Sequence, residues 1–370
     1  MGEQRTSATG DGVARVTVIS LGGTIASAPA PGGTVASPRL SAEDLVAAVP
    51  ELAGVASVVV RDLLRLPSCD LTLDHALAVA AEIRAAAAAG ADGVVVTQGT
   101  DTIEEMSFCL DLLVHDDIAL AVTGAMRHAG RTGNDGPANL LDAVRTVASP
   151  AARGLGCLVV LNEEVHAAPA VRKMHTSSPS AFRSPSTGPV GWIVEGQAHL
   201  RDRPIPRVLV RPLSGPLVRV PLVKLVIDDD GWWLPVVREA AAQGLVLEAM
   251  GGGHVPGWLC REIAELAARI PVILTSRTGD GEVLTSTYGG FKGSESWLIG
   301  AGLIPAGSLH ALKARVLLGL LLSAGATRTQ IEDAFALLGS PRRAGSAAGP
   351  TVIGTVDDGA VRTREGAGET

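Results

Sequence analysis

From Val13 onward the chain alternates β-rich apolar runs with helical patterns, in the order 13–20, 42–49, 55–66, 72–89, 93–97, 103–114, 118–123, 137–147 and 155–161. The short runs lack polar alternation, as expected for strands covered on both faces. This order predicts an α/β fold whose N-terminal sheet is mostly parallel and flanked by helices. Prolines and arginines then collect between Arg201 and Pro221, a composition that suits a linker better than a helix. A second series follows at 223–227, 234–242, 245–249, 257–268 and 272–275, closed by helical patterns at 309–324 and 329–337. The expected organisation is therefore a disordered 1–12, an N-terminal domain over 13–200, a linker at 201–221 and a smaller C-terminal α/β domain over 222–339. Residues 340–370 lose periodicity and read as a mobile tail, with 351–356 able to add a strand.

Composition narrows this picture. The 370 residues are 46% hydrophobic, enough for two domains each with its own core. The net charge of −7 comes from interspersed acids and bases, so no basic face for nucleic acid is expected. Cys69, Cys109, Cys157 and Cys260 lie far apart without C-x-x-C spacing, and read as reduced thiols. Residues 1–12 lack the basic and apolar regions of a signal peptide, which points to a cytoplasmic protein. The longest apolar stretches, such as 316–324, fall short of the roughly 20 residues of a membrane span. The eight histidines form no H-x-x-x-H pair or compact cluster with carboxylates, and neither a Walker A pattern nor G-x-G-x-x-G follows a strand. No metal and no cofactor are expected.

Three polar groups sit where apolar runs end, the edge at which open α/β sheets bind ligands. Gly22-Gly23-Thr24-Ile25-Ala26 follows the first run, with two glycines that let the backbone turn and approach a ligand and a hydroxyl directly after them. Gln98-Gly99-Thr100-Asp101-Thr102 follows 93–97 and leads into a helix, where Asp101 and Thr102 read equally as caps. Lys173 lies in a polar segment after 155–161, in a position that also suits a solvated surface charge.

Together these segments resemble the type I/II L-asparaginase and glutaminase family over most of 13–337. Thr123-Gly124-Ala125-Met126-Arg127, Asp135-Gly136-Pro137-Ala138-Asn139-Leu140, Ser184-Pro185, Gly188-Pro189-Val190-Gly191 and Lys313-Ala314-Arg315-Val316-Leu317-Leu318 fall in the order that family would place them. The resemblance implies hydrolysis of a side-chain amide, L-asparagine or a related small amide, by a threonine acyl-enzyme in a homo-oligomer (dimer or tetramer). Thr24 is then the nucleophile, with Thr100, Asp101 and Lys173 as a second hydroxyl, acid and base cluster. A threonine hydroxyl needs a neighbouring base or relayed proton path to attack. Desolvation of Lys173 favours loss of its proton, whereas Asp101 opposes it. Gly23, Gly99, backbone groups near Thr100 and the Ala125 carbonyl would line the substrate, and Ser68 and Asp101 would hold its α-carboxylate and α-ammonium.

The departures qualify the substrate. The lid at 27–40 has no tyrosine, since the only one is Tyr288, and offers Thr34 or Ser37 instead. Cys69 stands where the family commonly has a glutamine, and Cys is a poor hydrogen-bond partner. His254, in Met250-Gly251-Gly252-Gly253-His254, reads as a substrate contact or as a loop histidine, and Glu295 as a solvated carboxylate. Two other readings stay open: an asparaginase-like protein that binds an amino acid or amide with weakened catalysis, and the amidohydrolase subunit of a tRNA-dependent amidotransferase. The latter resembles this fold but normally carries an additional N-terminal domain.

Overall fold

A computed structural model describes residues 12–29, 36–201, 207–211, 216–339 and 351–353. The first part of the chain runs β1 (Ala14–Gly22), β2 (Ser27–Pro29), β3 (Ala36–Pro38), α1 (Ala42–Ala47), β4 (Ala56–Leu66), α2 (Leu73–Ala88), β5 (Gly93–Thr97) and α3 (Ile103–Leu113). It continues with β6 (Ala119–Thr123), α4 (Gly136–Ala148), β7 (Cys157–Leu161), β8 (Glu164–Ala167), β9 (Arg172–Lys173), β10 (Phe182–Arg183), β11 (Gly191–Val194) and β12 (Gln197–Leu200). Eight of these strands form one sheet in the order β12-β11-β8-β7-β6-β5-β1-β4. The stretch from β4 to β7 is parallel, as the unbroken apolar runs predict. Every residue of β5, β6 and β7 is buried.

Alternate side chains of each strand serve opposite cores. Ile19, Val94, Val96, Leu120 and Val122 pack with α2 and α3 on one face. Val16, Val18, Val95, Ala119 and Ala121 pack with α1 and α4 on the other. Helix starts are set locally: Ser41 and Asp44 close a capping box on α1, and Thr72 and His75 a similar one on α2.

Beyond β7 the sheet turns antiparallel, a feature absent from the sequence-based expectation. Asn162 and Glu163 take φ of 52° and 61° and make the tight turn into β8, while Glu195 and Gly196, at 50° and 75°, join β11 to β12.

The second part contains β13 (Val208–Val210), β14 (Leu222–Lys224), α5 (Trp233–Glu239), β15 (Leu245–Ala249), α6 (Cys260–Ala267), β16 (Val272–Ser276), α7 (Glu295–Gly300), β17 (Ile304–Pro305), α8 (Ala311–Ser323), α9 (Arg328–Gly339) and β18 (Thr351–Ile353). Strands β14-β15-β16-β17 form a parallel sheet, so the fold is the expected large, mainly parallel sheet followed by a smaller α/β unit. One face of that sheet joins α8 and α9 in the core shared with α2 and α3. The other face packs on α5, α6 and α7. Within the Pro-rich 201–221 stretch, β13 pairs in parallel with β18. The expected disordered N-terminus and mobile tail lie outside the described residues, apart from Gly12 and β18. No helix among the described residues is long and apolar enough to cross a membrane. Among them no group of three or more His, Cys, Asp or Glu is arranged to hold a metal ion.

Candidate active site

Strands β4, β1, β5 and β6 are parallel and end on the same edge of the sheet. The chain leaves β1 for β4 on one side and returns to β5 on the other, so a topological switch point lies beside β1. Glycines let three strand ends meet there. A Cβ on Gly23, whose φ is 82°, would lie 1.9 Å from the Gly99 nitrogen. A Cβ on Gly99 would lie 2.6 Å from Ser68 Oγ, and one on Gly124 2.6 Å from the Gln98 carbonyl. Backbone contact this close leaves room for no side chain, so Thr24, Thr100 and Ala125 follow directly from one point of convergence. Thr24 opens a short 3-10 turn and is half-buried. Its hydroxyl has no hydrogen-bond partner among the described residues, whereas the Ser27 hydroxyl donates to the Gly23 carbonyl at 2.7 Å.

Lys173 arrives from β9. Its Nζ donates to Thr100 Oγ1 at 2.9 Å and to Asp101 Oδ1 at 2.6 Å. The lysine side chain is only 15% exposed but that of Asp101 is 67% exposed, so the ion pair straddles the rim, with the Asp101 carboxylate facing solvent. Neither Asp101 nor Thr102 caps a helix with its side chain. The Asp101 N–H donates to Ser68 Oγ at 3.2 Å and the Thr102 hydroxyl to the Ser68 carbonyl at 3.0 Å, which fixes Ser68 under the cluster. Below it, the buried Glu104 accepts the Lys173 backbone N–H at 2.5 Å. Lys313, fully buried on α8, donates to the carbonyls of Pro169 (3.1 Å) and Val171. Burial pushes its ammonium down to about 7, against the opposing attraction of Glu104. The Gly124-Ala125 turn is held by Asn139, whose Nδ2 donates to the Gly124 carbonyl at 2.9 Å. The Asp135 carboxylate in turn accepts the N–H groups of Met126 and Arg127 at 3.0 and 2.8 Å.

Comparison with known proteins fits this arrangement. Residues 15–206 match the family model "Asparaginase, N-terminal", and residues 219–335 match "Glutaminase/Asparaginase C-terminal domain". The chain belongs to the asparaginase family. A Deinococcus radiodurans protein named "Probable L-asparaginase" is 39% identical over 87% of this chain and 97% of its own. An L-asparaginase of Bacillus licheniformis is 34% identical over 87% of this chain and 98% of its own. Among solved structures, a Campylobacter jejuni protein titled a probable cytoplasmic L-asparaginase superposes with a TM-score of 0.76 at 28% identity. It covers 88% of this chain and 99% of that one.

In this asparaginase-family amidohydrolase the residues singled out from sequence fall into four groups. Gly23, Ser68, Gly99, Thr100, Asp101 and Lys173 come together, with Thr24 and Ala125 one residue beyond the glycine contacts. Cys69 neighbours the cluster but is exposed, its thiol 3.8 Å from Asp70 Oδ1. All four thiols are free. His254 stands elsewhere: it hydrogen-bonds Glu295 at 3.1 Å and meets the rings of Tyr288 and Phe291 edge-on. Glu295, expected to be solvated, is instead fully buried and accepts the Tyr288 N–H at 2.5 Å, an environment only the tertiary fold supplies. Of the two residues expected on a lid, Ser37 lies on β3 paired with Ala28, and Thr34 falls outside the described residues. Glu104 carries no signal in the sequence that assigns it to the site, and Asp135, Asn139 and Lys313 stand out there only as members of their motifs.

Proposed function

We propose that this amidohydrolase cleaves the side-chain amide of L-asparagine, releasing L-aspartate and ammonia, with Thr24 as the nucleophile. The observation that carries the reading is Lys173 Nζ within hydrogen-bond reach of both Thr100 Oγ1 and Asp101 Oδ1, beside the Gly23–Gly99 contact. Thr24 Oγ1 attacks the amide carbonyl, its proton passing to the departing nitrogen, which leaves as ammonia. The resulting ester on Thr24 is then hydrolysed by a water whose proton moves through Thr100 to the neutral Lys173 amine, and a proton returns to Thr24 Oγ1 as the aspartate leaves. N–H groups at the start of the Thr100 turn face the developing oxyanion. Asp101 serves twice because its two oxygens differ in use. Oδ1 pairs with Lys173, leaving Oδ2 for the substrate α-ammonium. An ammonium arriving there shares the carboxylate and weakens its hold on the Lys173 ammonium, which gives up a proton to solvent and, as the neutral amine, can then take the Thr100 proton. The readings as a binding protein or as an amidotransferase subunit are not favoured, because the relatives named L-asparaginase match over nearly their whole length.

The test is ammonia release from L-asparagine, L-glutamine and other small amides. Thr24→Ala and Lys173→Met are expected to lower kcat by about a thousandfold or more. Wild-type protein releasing no ammonia from any of them overturns the proposal. Preference for asparagine over glutamine is expected to amount to only about 1 to 3 kcal/mol, since one methylene separates them. A homo-oligomer located in the cytoplasm belongs to the same proposal, and light scattering on purified protein checks the assembly.

A further inference from the structure

Lys173 is held at its main chain as well as at its tip. Its strand, β9, has two residues and two cross-strand pairs, Arg172 with Arg183 and Lys173 with Phe182. A ladder so short does not fix a side chain by itself. The additional hold comes from two buried ionisable side chains, an acid and a base. Glu104 lies one residue into α3, the helix that continues directly from the Thr100–Thr102 turn. One element therefore carries the partners of the lysine tip, Thr100 and Asp101, together with the carboxylate that accepts the Lys173 N–H. Lys313 reaches across from α8 and donates to the carbonyls of Pro169 and Val171, just upstream on the same segment.

Both groups are kept from water at a cost. Lys313 is fully buried, and Glu104 Oε2 is buried with no hydrogen-bond partner. Their opposite charges attract, which offsets part of that cost. A buried carboxylate with one oxygen unsatisfied is a poor device for stability alone. It makes sense where the other oxygen holds a backbone group that must not move.

We propose that Glu104 and Lys313 are a positioning pair: together they fix the main chain of residues 169–173 and thereby set where the Lys173 amine stands against Thr100 and Asp101. This rests on the reading of Lys173 as the proton carrier. It also makes α8, from the second α/β unit, part of the machinery that aims a residue of the first sheet.

The experiment separates reach from charge. Glu104→Asp keeps the charge but withdraws the oxygen by a methylene, whereas Glu104→Gln keeps an acceptor at full reach and loses the charge. Position is the variable if Glu104→Asp lowers kcat for ammonia release by about tenfold or more with KM little changed, and Glu104→Gln stays near wild type. Hydrogen exchange at the Lys173 amide, followed by mass spectrometry of peptides spanning 169–176, is expected to speed up in Glu104→Asp and not in Glu104→Gln. Lys313→Met alone leaves Glu104 uncompensated and endangers folding. The neutral double variant Glu104→Gln/Lys313→Met replaces it and is expected to fold with kcat reduced, because Pro169 and Val171 lose their donor. The proposal is overturned if Glu104→Asp and the double variant both keep wild-type kcat, if Glu104→Gln falls while Glu104→Asp does not, or if exchange at Lys173 is unchanged. Wild-type activity in Lys173→Met strikes instead at the underlying functional reading. An inactive Lys173→Met beside fully active Glu104→Asp and double variants strikes at the positioning pair alone.

Discussion

At Gly23 a single methyl group decides whether two strand ends can touch. Its Cβ would lie 1.9 Å from the Gly99 nitrogen, and its φ of 82° disfavours any side chain. Gly23→Ala is therefore expected to cost about 2 to 4 kcal/mol, read from urea unfolding, and to lose ammonia release with it. The ends of apolar runs drew attention to the glycines, Thr24, Thr100, Asp101 and Lys173. Position alone left Asp101 readable as a cap and Lys173 as a surface charge, and their roles followed only from the resemblance of the ordered motifs to the asparaginase family. Glu104 and Lys313 were not legible. An acid in the first turn of a helix reads as a favourable dipole partner, and a lysine in a leucine-rich helix reads as a stem lying along the core with its head in water. Only the packing of α8 against α3 turns both into buried charges.

At the scale of elements, periodicity located β1, β4, β5, β6 and β7 and most of the helices, because buried parallel strands and amphipathic helices leave distinct patterns, but it did not find the short β2–β3 pair. It missed the antiparallel edge. Strands β8, β11 and β12 are four residues each, and two of their turn positions are glutamates in left-handed conformation, which carry none of the usual Asn-Gly signal. The segment expected to form a lid, 27–40, is held at its end near the site: the N–H groups of Arg39 and Leu40 both donate to the Ala26 carbonyl, at the end of the turn that Thr24 opens. Helix α1 follows at once, capped by Ser41 and buried through Leu45. Removing the cap with Ser41→Ala is expected to cost about 1 kcal/mol and to lower the Tm by a few degrees. Calorimetry measures the shift, and faster hydrogen exchange in α1 shows where it arises.

Two buried histidines give the whole molecule a pH dependence on its acid side. Burial pushes His166 down to about 4, against the opposing attraction of Glu164, and pushes His310 down to about 3, with Arg172 acting in the same direction. In the unfolded chain both titrate near the ordinary value of 6.5. Below that pH the unfolded chain binds protons that the folded one refuses, so the stability present above pH 6.5 is lost progressively toward pH 4. Urea midpoints at pH 7.5 and 5 are expected to differ in that direction, and His166→Gln is expected to flatten the difference.

The pairing of β13 with β18 has a consequence for the order in which the protein is assembled. Val208, Leu209 and Val210 are all buried, and His115 bonds the Val210 carbonyl at 2.9 Å, yet the strand that completes their ladder follows only after α9. A chain emerging from the ribosome must keep this apolar strand with an open edge until residue 353 has cleared the exit tunnel. Nascent chains stalled after Gly339 are expected to be cut by protease near β13 and to engage chaperones, while those extended beyond Ile353 with room to fold resist. Closure of this part of the interior is thus timed by translation.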